Sequence, residues 1–272
     1  MWLEKNEKST LEQLNIIKIG GNIIDQPEKL EKFLKDFSEL QGHKILVHGG
    51  GKIATDLAKT MQIPQQMVEG RRVTNANTLQ LITMVYGGLI SKNIVAQLAA
   101  QGNAAIGLSG ADANTVVSEK RPVKTVDYGF VGDVKKVNAE AIQKIVNAGF
   151  IPVFCAITHD EKGQLLNTNA DTMASEIATA LSVNFKTSLY YCFEKKGVLE
   201  NVEDENSVIA AINPENYEQL KAEGKIFQGM IPKLDNAFSA IYKGVQAVHI
   251  LQAEDLLATI KNKENHGTKI TA

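Results

Sequence analysis

Residues 15–21 read Asn15-Ile16-Ile17-Lys18-Ile19-Gly20-Gly21. A short apolar run stopped by two glycines is the pattern of a buried strand feeding a tight turn. Downstream, Leu30, Phe33, Leu34, Phe37 and Leu40 recur at helical spacing, and Gly42 follows them. This predicts an amphipathic helix over about 28–41 with a glycine stop. Lys44–Val47 then makes a second short strand, and it runs into His48-Gly49-Gly50-Gly51. Ile53, Ala54, Leu57, Ala58 and Met61 form the next helical stripe. Strand, glycine turn, helix, repeated at once, predicts a parallel sheet with helices on both faces.

Further along the chain the alternation persists. Leu79, Leu81, Ile82, Val85, Leu89, Ile90, Ile94, Val95 and Leu98 predict a long helix over about 75–100. A strand at 104–108 ends at Ser109-Gly110, and short strands are expected near 114–118 and 130–137. A helix at 138–148 precedes Ile151–Ile157, a continuous apolar run that reads as one central strand. Helices near 170–182, 214–223 and 232–243 and strands at 187–193 and 246–251 complete the pattern. The natural division falls at Leu181–Lys186, giving segments 1–182 and 183–272 that share one sheet.

Composition narrows the function. The 272 residues carry 29 basic and 31 acidic side chains, a formal net charge of -2. Such balance argues against a nucleic-acid or membrane-surface binder, which needs a basic bias. Hydrophobic residues make up 44%, enough for a real core. Two cysteines, Cys155 and Cys192, give neither a disulfide framework nor zinc-ligand spacing, and suit a reducing cytoplasm. No uninterrupted apolar run approaches the ~20 residues of a membrane span. The polar start, Met1–Gln13, lacks the apolar core of a signal peptide.

Several residues stand out against that background. Gly20-Gly21, Gly49-Gly50-Gly51 and Ser109-Gly110 each follow a predicted strand. Glycine lets backbone N–H groups approach an anion, and a helix start behind the turn adds positive potential. Neither a GxxxxGK[ST] loop nor GxGxxG is present, so neither the P-loop nor the dinucleotide fold is indicated. Lys18 lies inside an apolar strand, where a lysine needs a reason to be. Lys233 follows Pro232 at a predicted helix start, and Asn167-Thr168-Asn169-Ala170-Asp171 opens another helix with more polarity than one cap requires. Gly70-Arg71-Arg72-Val73-Thr74 offers a guanidinium able to clamp a carboxylate. Each has a plain alternative: an edge lysine, a surface lysine, a helix cap, a surface arginine. His48 reads as a structural turn residue more than a base, and no Ser-His-Asp, CxxC or HExxH arrangement occurs.

Together these motifs resemble the amino acid kinase family, and within it the kinases that act on N-acetyl-L-glutamate. The likeness runs from about Asn15 to Ile270 and includes Phe130-Val131-Gly132-Asp133-Val134, Gly229-Met230-Ile231-Pro232-Lys233 and Gly267-Thr268-Lys269-Ile270. It implies a three-layer αβα sandwich around a mainly parallel sheet. An N-terminal lobe (1–182) would bind the acylated glutamate and dimerise, and a C-terminal lobe (183–272) would bind ATP. The implied reaction is phosphorylation of the side-chain carboxylate, in arginine biosynthesis, by a cytoplasmic homodimer using ATP and Mg2+ with no protein metal site. Lys18, Lys233 and Asp171 would be catalytic. Gly50, Gly51, Arg72 and Asn167 would bind the acceptor, and the amides of Gly20, Gly21 and Gly49 the phosphoryl oxygens. No nucleic-acid or membrane partner is implied. Two stretches depart from the family pattern, Phe193-Glu194-Lys195-Lys196-Gly197 and Ala111-Asp112-Ala113. Two alternatives stay open: another N-acyl-glutamate, such as N-succinyl-L-glutamate, as acceptor, and a nucleotide-binding regulatory protein without catalysis.

Overall fold

In chain order the strands are β1 (Gln13–Ile19), β2 (His43–His48), β3 (Gln66–Val68), β4 (Arg71–Val73), β5 (Ala105–Leu108), β6 (Val116–Lys120), β7 (Gly132–Val137), β8 (Ile151–Cys155), β9 (Ile157–His159), β10 (Leu165–Asn167), β11 (Lys186–Phe193), β12 (Ala211–Ile212), β13 (Ala247–Gln252) and β14 (Thr268–Ile270). The helices are α1 (Gly21–Ile24), α2 (Pro27–Ser38), α3 (Gly51–Thr60), α4 (Ala76–Thr83), α5 (Ser91–Ala100), α6 (Ala139–Asn147), α7 (Ala170–Leu181), α8 (Pro214–Ala222), α9 (Ile231–Tyr242) and α10 (Leu256–Lys261). This computed structural model describes residues 11–68, 70–201, 203–226, 230–262, 264 and 266–272. Most of the polar start, and Gly229 of the quoted motifs, lie outside the described residues.

Eight strands form the main sheet in the order β12-β14-β13-β11-β1-β2-β8-β5. All its pairings are parallel except β13 with β14. Four strands come from before residue 182 and four from after it, joined where β1 pairs with β11. From that pair the order runs outward both ways, through β2 on one side and β13 on the other. The junction is therefore a topological switch point, and the carboxyl ends of strands at such a point are where open α/β sheets bind ligands.

The period of two along β1 divides its side chains between two cores. Leu14 and Ile16 enter a cluster with Ile177 and Leu181 of α7 and Leu234 and Phe238 of α9. Ile17 and Ile19 enter a second cluster with Leu34 of α2, Ala54 of α3 and Ile94 of α5. Helices thus cover both faces, because the central strands are apolar on both. Helix 76–100 is continuous, with Met84–Ile90 wound as a π-helix between α4 and α5. By length and composition alone it could cross a membrane. In the fold its Leu79, Leu81, Ile82, Val85, Ile90, Ile94 and Leu98 are buried in the second cluster.

The short strands expected near 114–118 and 130–137 are β6 and β7, which form a hairpin in a second sheet ordered β10-β9-β6-β7. Two expectations are corrected. The run 151–157 is not one strand: the chain leaves the main sheet after Cys155 and enters the small sheet at Ile157. The arginine motif lies on a hairpin, β3–β4, for which no strand was expected. Apolar pattern marks a segment as a strand without saying which neighbour it will pair with.

Candidate active site

Lys18 is an even-numbered residue of β1, so the strand's alternation turns it to the face that carries α7 and α9. Asp171 stands in the first turn of α7, where a carboxylate is favoured by the helix dipole. Lys233 is in the first turn of α9, behind Ile231 and Pro232. The three side chains meet. Lys18 Nζ lies 2.7 Å from Asp171 Oδ1, and Lys233 Nζ donates to Asp171 Oδ2. Tyr191, the β11 partner of Lys18 in register, is buried beneath them. Its hydroxyl donates to the Asp171 carbonyl at 3.2 Å, and Lys233 Nζ lies 5.6 Å from its ring centre.

Only 15% of the Asp171 side chain is exposed, against 13% for Lys18 and 27% for Lys233. Burial raises the pKa of the Asp171 carboxyl, but the two ammonium groups more than reverse it and hold it well below the ordinary carboxylate range. One anion therefore pins two cations while leaving the group as a whole positive.

Beside this triad is a cavity of about 230 Å3. Gly49, Gly50 and Gly51 form one wall, Arg72 and Arg71 another, and Asn167, Asn169 and Ala170 lead to Asp171. Gly50 adopts φ +151, and a Cβ there would lie 2.2 Å from Ile90 Cδ1 and 3.1 Å from the Tyr86 ring. Any other residue in that turn would be strained by the positive φ and would push aside the Ile90 and Tyr86 side chains behind it. Arg72 is buried and oriented by its own chain: it donates to Gln65 Oε1, to the Gly51 carbonyl at 2.8 Å and to Thr55 Oγ1 at 2.9 Å. Asn167 is steadied by its amide donating to Thr74 Oγ1 at 3.0 Å. On the triad side, a Cβ on Gly20 would lie 3.6 Å from Lys18 Nζ, so the first glycine turn runs directly under that ammonium.

A family model for the amino acid kinase family matches residues 13–252. This chain belongs to that family. Among amino acid kinases it is 57% identical to the acetylglutamate kinase of Cytophaga hutchinsonii, over 96% of this chain and 100% of that protein. It is 55% identical to the acetylglutamate kinase of Phocaeicola vulgatus, over 89% of this chain and 94% of that one. The N-acetylglutamate synthase of Neisseria gonorrhoeae, solved with coenzyme A and N-acetyl-glutamate, superposes with a TM-score of 0.80 at 19% identity. That match covers 95% of this chain and 59% of the synthase, and at this identity it speaks for the fold alone.

Within this amino acid kinase fold, Lys18, Asp171 and Lys233 form one cluster, and Gly49, Gly50, Gly51, Arg72 and Asn167 line one cavity. Gly20 and Gly21 cap the strand that carries Lys18. The third glycine turn is different. The Gly110 amide donates to the Ile157 carbonyl at 2.7 Å, and a Cβ there would lie 2.5 Å from the Val116 carbonyl oxygen. Gly110 serves packing. His48 is wholly buried, its Nδ1 is 2.8 Å from the Gly49 carbonyl, and burial lowers its pKa to about 4. It is a neutral structural residue.

Arg121 and Tyr86 also line the cavity, and sequence reading did not single them out. Nothing local marks Arg121; the β6–β7 hairpin brings it there and pairs it with Asp133, which accepts from Nε at 3.0 Å and from Nη2.

Proposed function

We propose that this chain transfers the γ-phosphoryl group of ATP to the side-chain carboxylate of N-acetyl-L-glutamate, a step of arginine biosynthesis. One observation carries the reading: two lysines from opposite segments of the chain converge on Asp171 at the edge of a cavity lined by arginine and asparagine. The relatives named acetylglutamate kinase, matched along nearly their whole length, support the acceptor.

The chemistry suits the residues. A glutamate side-chain carboxylate, with an ordinary pKa of ~4.3, is already a nucleophile at neutral pH. Its oxygen attacks the γ-phosphorus, the bond to the β-phosphate oxygen breaks, and ADP leaves; no proton is transferred. The barrier is the approach of an anion to an anion, and catalysis is alignment plus fixed positive charge. Lys18 reaches the transferred group from the acceptor side and Lys233 from the nucleotide side. Asp171 keeps the two ammonium groups together and relieves their repulsion. The amides of Gly20, Gly21 and Gly49 face the phosphoryl oxygens. Arg72 and Asn167 take the acceptor's α-carboxylate and acyl end, with Gly50 and Gly51 alongside.

ATP occupies the carboxyl ends of β11 and β13, in the 183–272 lobe, and the acceptor occupies the 1–182 lobe. Among the described residues no three His, Cys, Asp or Glu side chains gather as a metal site. Mg2+ would arrive on the nucleotide phosphates, keep several waters, and offset phosphate charge there. The exposed Met84 and Leu89 of helix 76–100 support a homodimer. The two free, buried cysteines suit the cytoplasm.

The test is an acyl-phosphate trap. Purified protein with ATP, Mg2+ and N-acetyl-L-glutamate should yield a hydroxamate on adding hydroxylamine, and L-glutamate and L-aspartate should not. ATP binding with no hydroxamate from any acceptor would instead mark a silent nucleotide-binding protein.

A further inference from the structure

Lys233 can reach the transferred group only if α9 keeps one rotation about its own axis, and the start of α9 does little to set it. No side chain caps its N-terminus, and its first turn carries no acidic residue. The tie to Asp171 grips the helix on one side. Residues two apart on an α-helix point about 200° from each other, so Asp235 leaves α9 on the side opposite Lys233. There the Tyr217 hydroxyl donates to Asp235 Oδ1 at 2.7 Å. The Tyr217 ring packs on Phe238, three residues beyond Asp235 on the same helix face, with ring centres 5.0 Å apart.

Tyr217 is itself well anchored. It is buried on α8, and α8 begins with a reciprocal cap. Asn213 Oδ1 accepts from the Asn216 amide at 2.9 Å, and Asn216 Oδ1 accepts from the Asn213 amide at 2.7 Å. The Asn216 side chain also donates to the Ala211 carbonyl at 3.2 Å, which ties α8 to β12 at the edge of the main sheet. A line of contacts therefore runs from the sheet through α8 to the side of α9 that faces away from the triad. Burial and then Asp235 raise the Tyr217 pKa, so its hydroxyl keeps its proton and stays a donor at neutral pH. A bond serving stability alone could fall anywhere along α9. This one falls within a turn of Lys233 and on the opposite side, where the two ties together stop the helix from rolling.

We infer that Tyr217, acting through Asp235, is a positioning residue for Lys233. Asp171 on one side and Tyr217 on the other hold the Lys233 ammonium at the transferred phosphoryl group. The inference rests on the role given to Lys233 above. A misplacement of about 1 Å at a reacting centre can cost about 100-fold in rate, so the loss of one hydroxyl at this point of α9 is enough to register.

The experiment measures hydroxamate formation from ATP and N-acetyl-L-glutamate, well below the melting temperature of every variant. Tyr217→Phe keeps the ring and removes the donor. Its kcat should fall about tenfold, with the acceptor KM within about threefold of wild type. Asp235→Ala should match it, and Asp235→Asn, which still offers an acceptor oxygen, should stay within about threefold of wild-type kcat. Because Asp235 is exposed, its substitution tests the tie even if the Tyr217 variant folds poorly. In a Lys233→Ala background, assayed at high enzyme concentration, Tyr217→Phe should lower kcat by less than about twofold, because the group it positions is gone. A lower melting temperature in Tyr217→Phe with kcat unchanged would overturn the positioning role and leave the reaction standing. A second full loss of about tenfold in the Lys233→Ala background would also overturn it. No hydroxamate from wild type with any acceptor would overturn the proposed reaction and this inference with it.

Discussion

Lys18, on the strand nearest the start of the chain, and Asp171, on a helix that follows 150 residues later, are held 2.7 Å apart by the packing of α7 on β1. The distance makes Asp171 a counter-ion more than a base. Its removal should therefore damage catalysis through charge. Asp171→Asn should lower kcat by about 10²–10³, the usual cost of losing one preorganised electrostatic element. Steady-state hydroxamate assays check this. The same variant leaves two partly buried ammonium groups facing each other, so its melting temperature should fall.

The pH dependence of stability has a definite sign. Burial and then Lys18 and Lys233 set the Asp171 pKa, and the net effect is a folded value below the unfolded one. Such a carboxylate contributes stability above the unfolded pKa of about 3.9 and loses it as pH falls through the folded value. The urea-midpoint gap between wild type and Asp171→Asn should be constant from about pH 8 to 5 and shrink below about pH 4.

Turnover should be flat over the neutral range. His48, lowered to about 4 by burial, stays neutral there, and the acceptor carboxylate stays ionised. A kcat profile with a sharp acidic limb near pH 6.5 would reveal a histidine base that this mechanism lacks.

Gly50→Ala should harm the acceptor site and the fold together. Its φ of +151 and the 2.2 Å approach to Ile90 Cδ1 leave no room for a methyl group. A loss of about 1–3 kcal/mol in denaturant unfolding is expected, with a raised acceptor KM. Gly49→Ala, where nothing lies within 4 Å of the added Cβ, should cost much less stability.

Lys44 is a buried lysine outside the site. Its ammonium donates to the carbonyls of Phe37, Ser38 and Leu40 at 2.8, 2.9 and 2.9 Å, closing the end of α2. Lys44→Met should cost about 1–3 kcal/mol near pH 7 by stranding those acceptors. Burial lowers the Lys44 pKa to about 8. The unfolded chain therefore binds more protons between pH 8 and about 10.5, and wild type should gain on the variant across that window.

Much of this was legible in the sequence for a physical reason. Lys18 interrupts an apolar strand, and alternation alone puts it on the face of Leu14 and Ile16. Asp171 and Lys233 each fall in a first helical turn, a position set by local capping and proline chemistry. What could not be read was non-local. Whether 130–137 pairs with the main sheet or with β6 depends on partners far away in sequence, and Arg121 reaches the cavity only through that pairing. The break at Ala156 was hidden for a similar reason: its neighbours are apolar on both sides, so periodicity runs straight through the change of sheet.

In the proposed reaction Lys233 acts on the transferred phosphoryl group and not on the acceptor. The most direct test is steady-state turnover of Lys233→Ala with the acceptor KM measured alongside. The kcat should fall by about 100-fold or more, with the KM for N-acetyl-L-glutamate within about threefold of wild type. An unchanged kcat, or a loss that falls wholly on the acceptor KM, would contradict it.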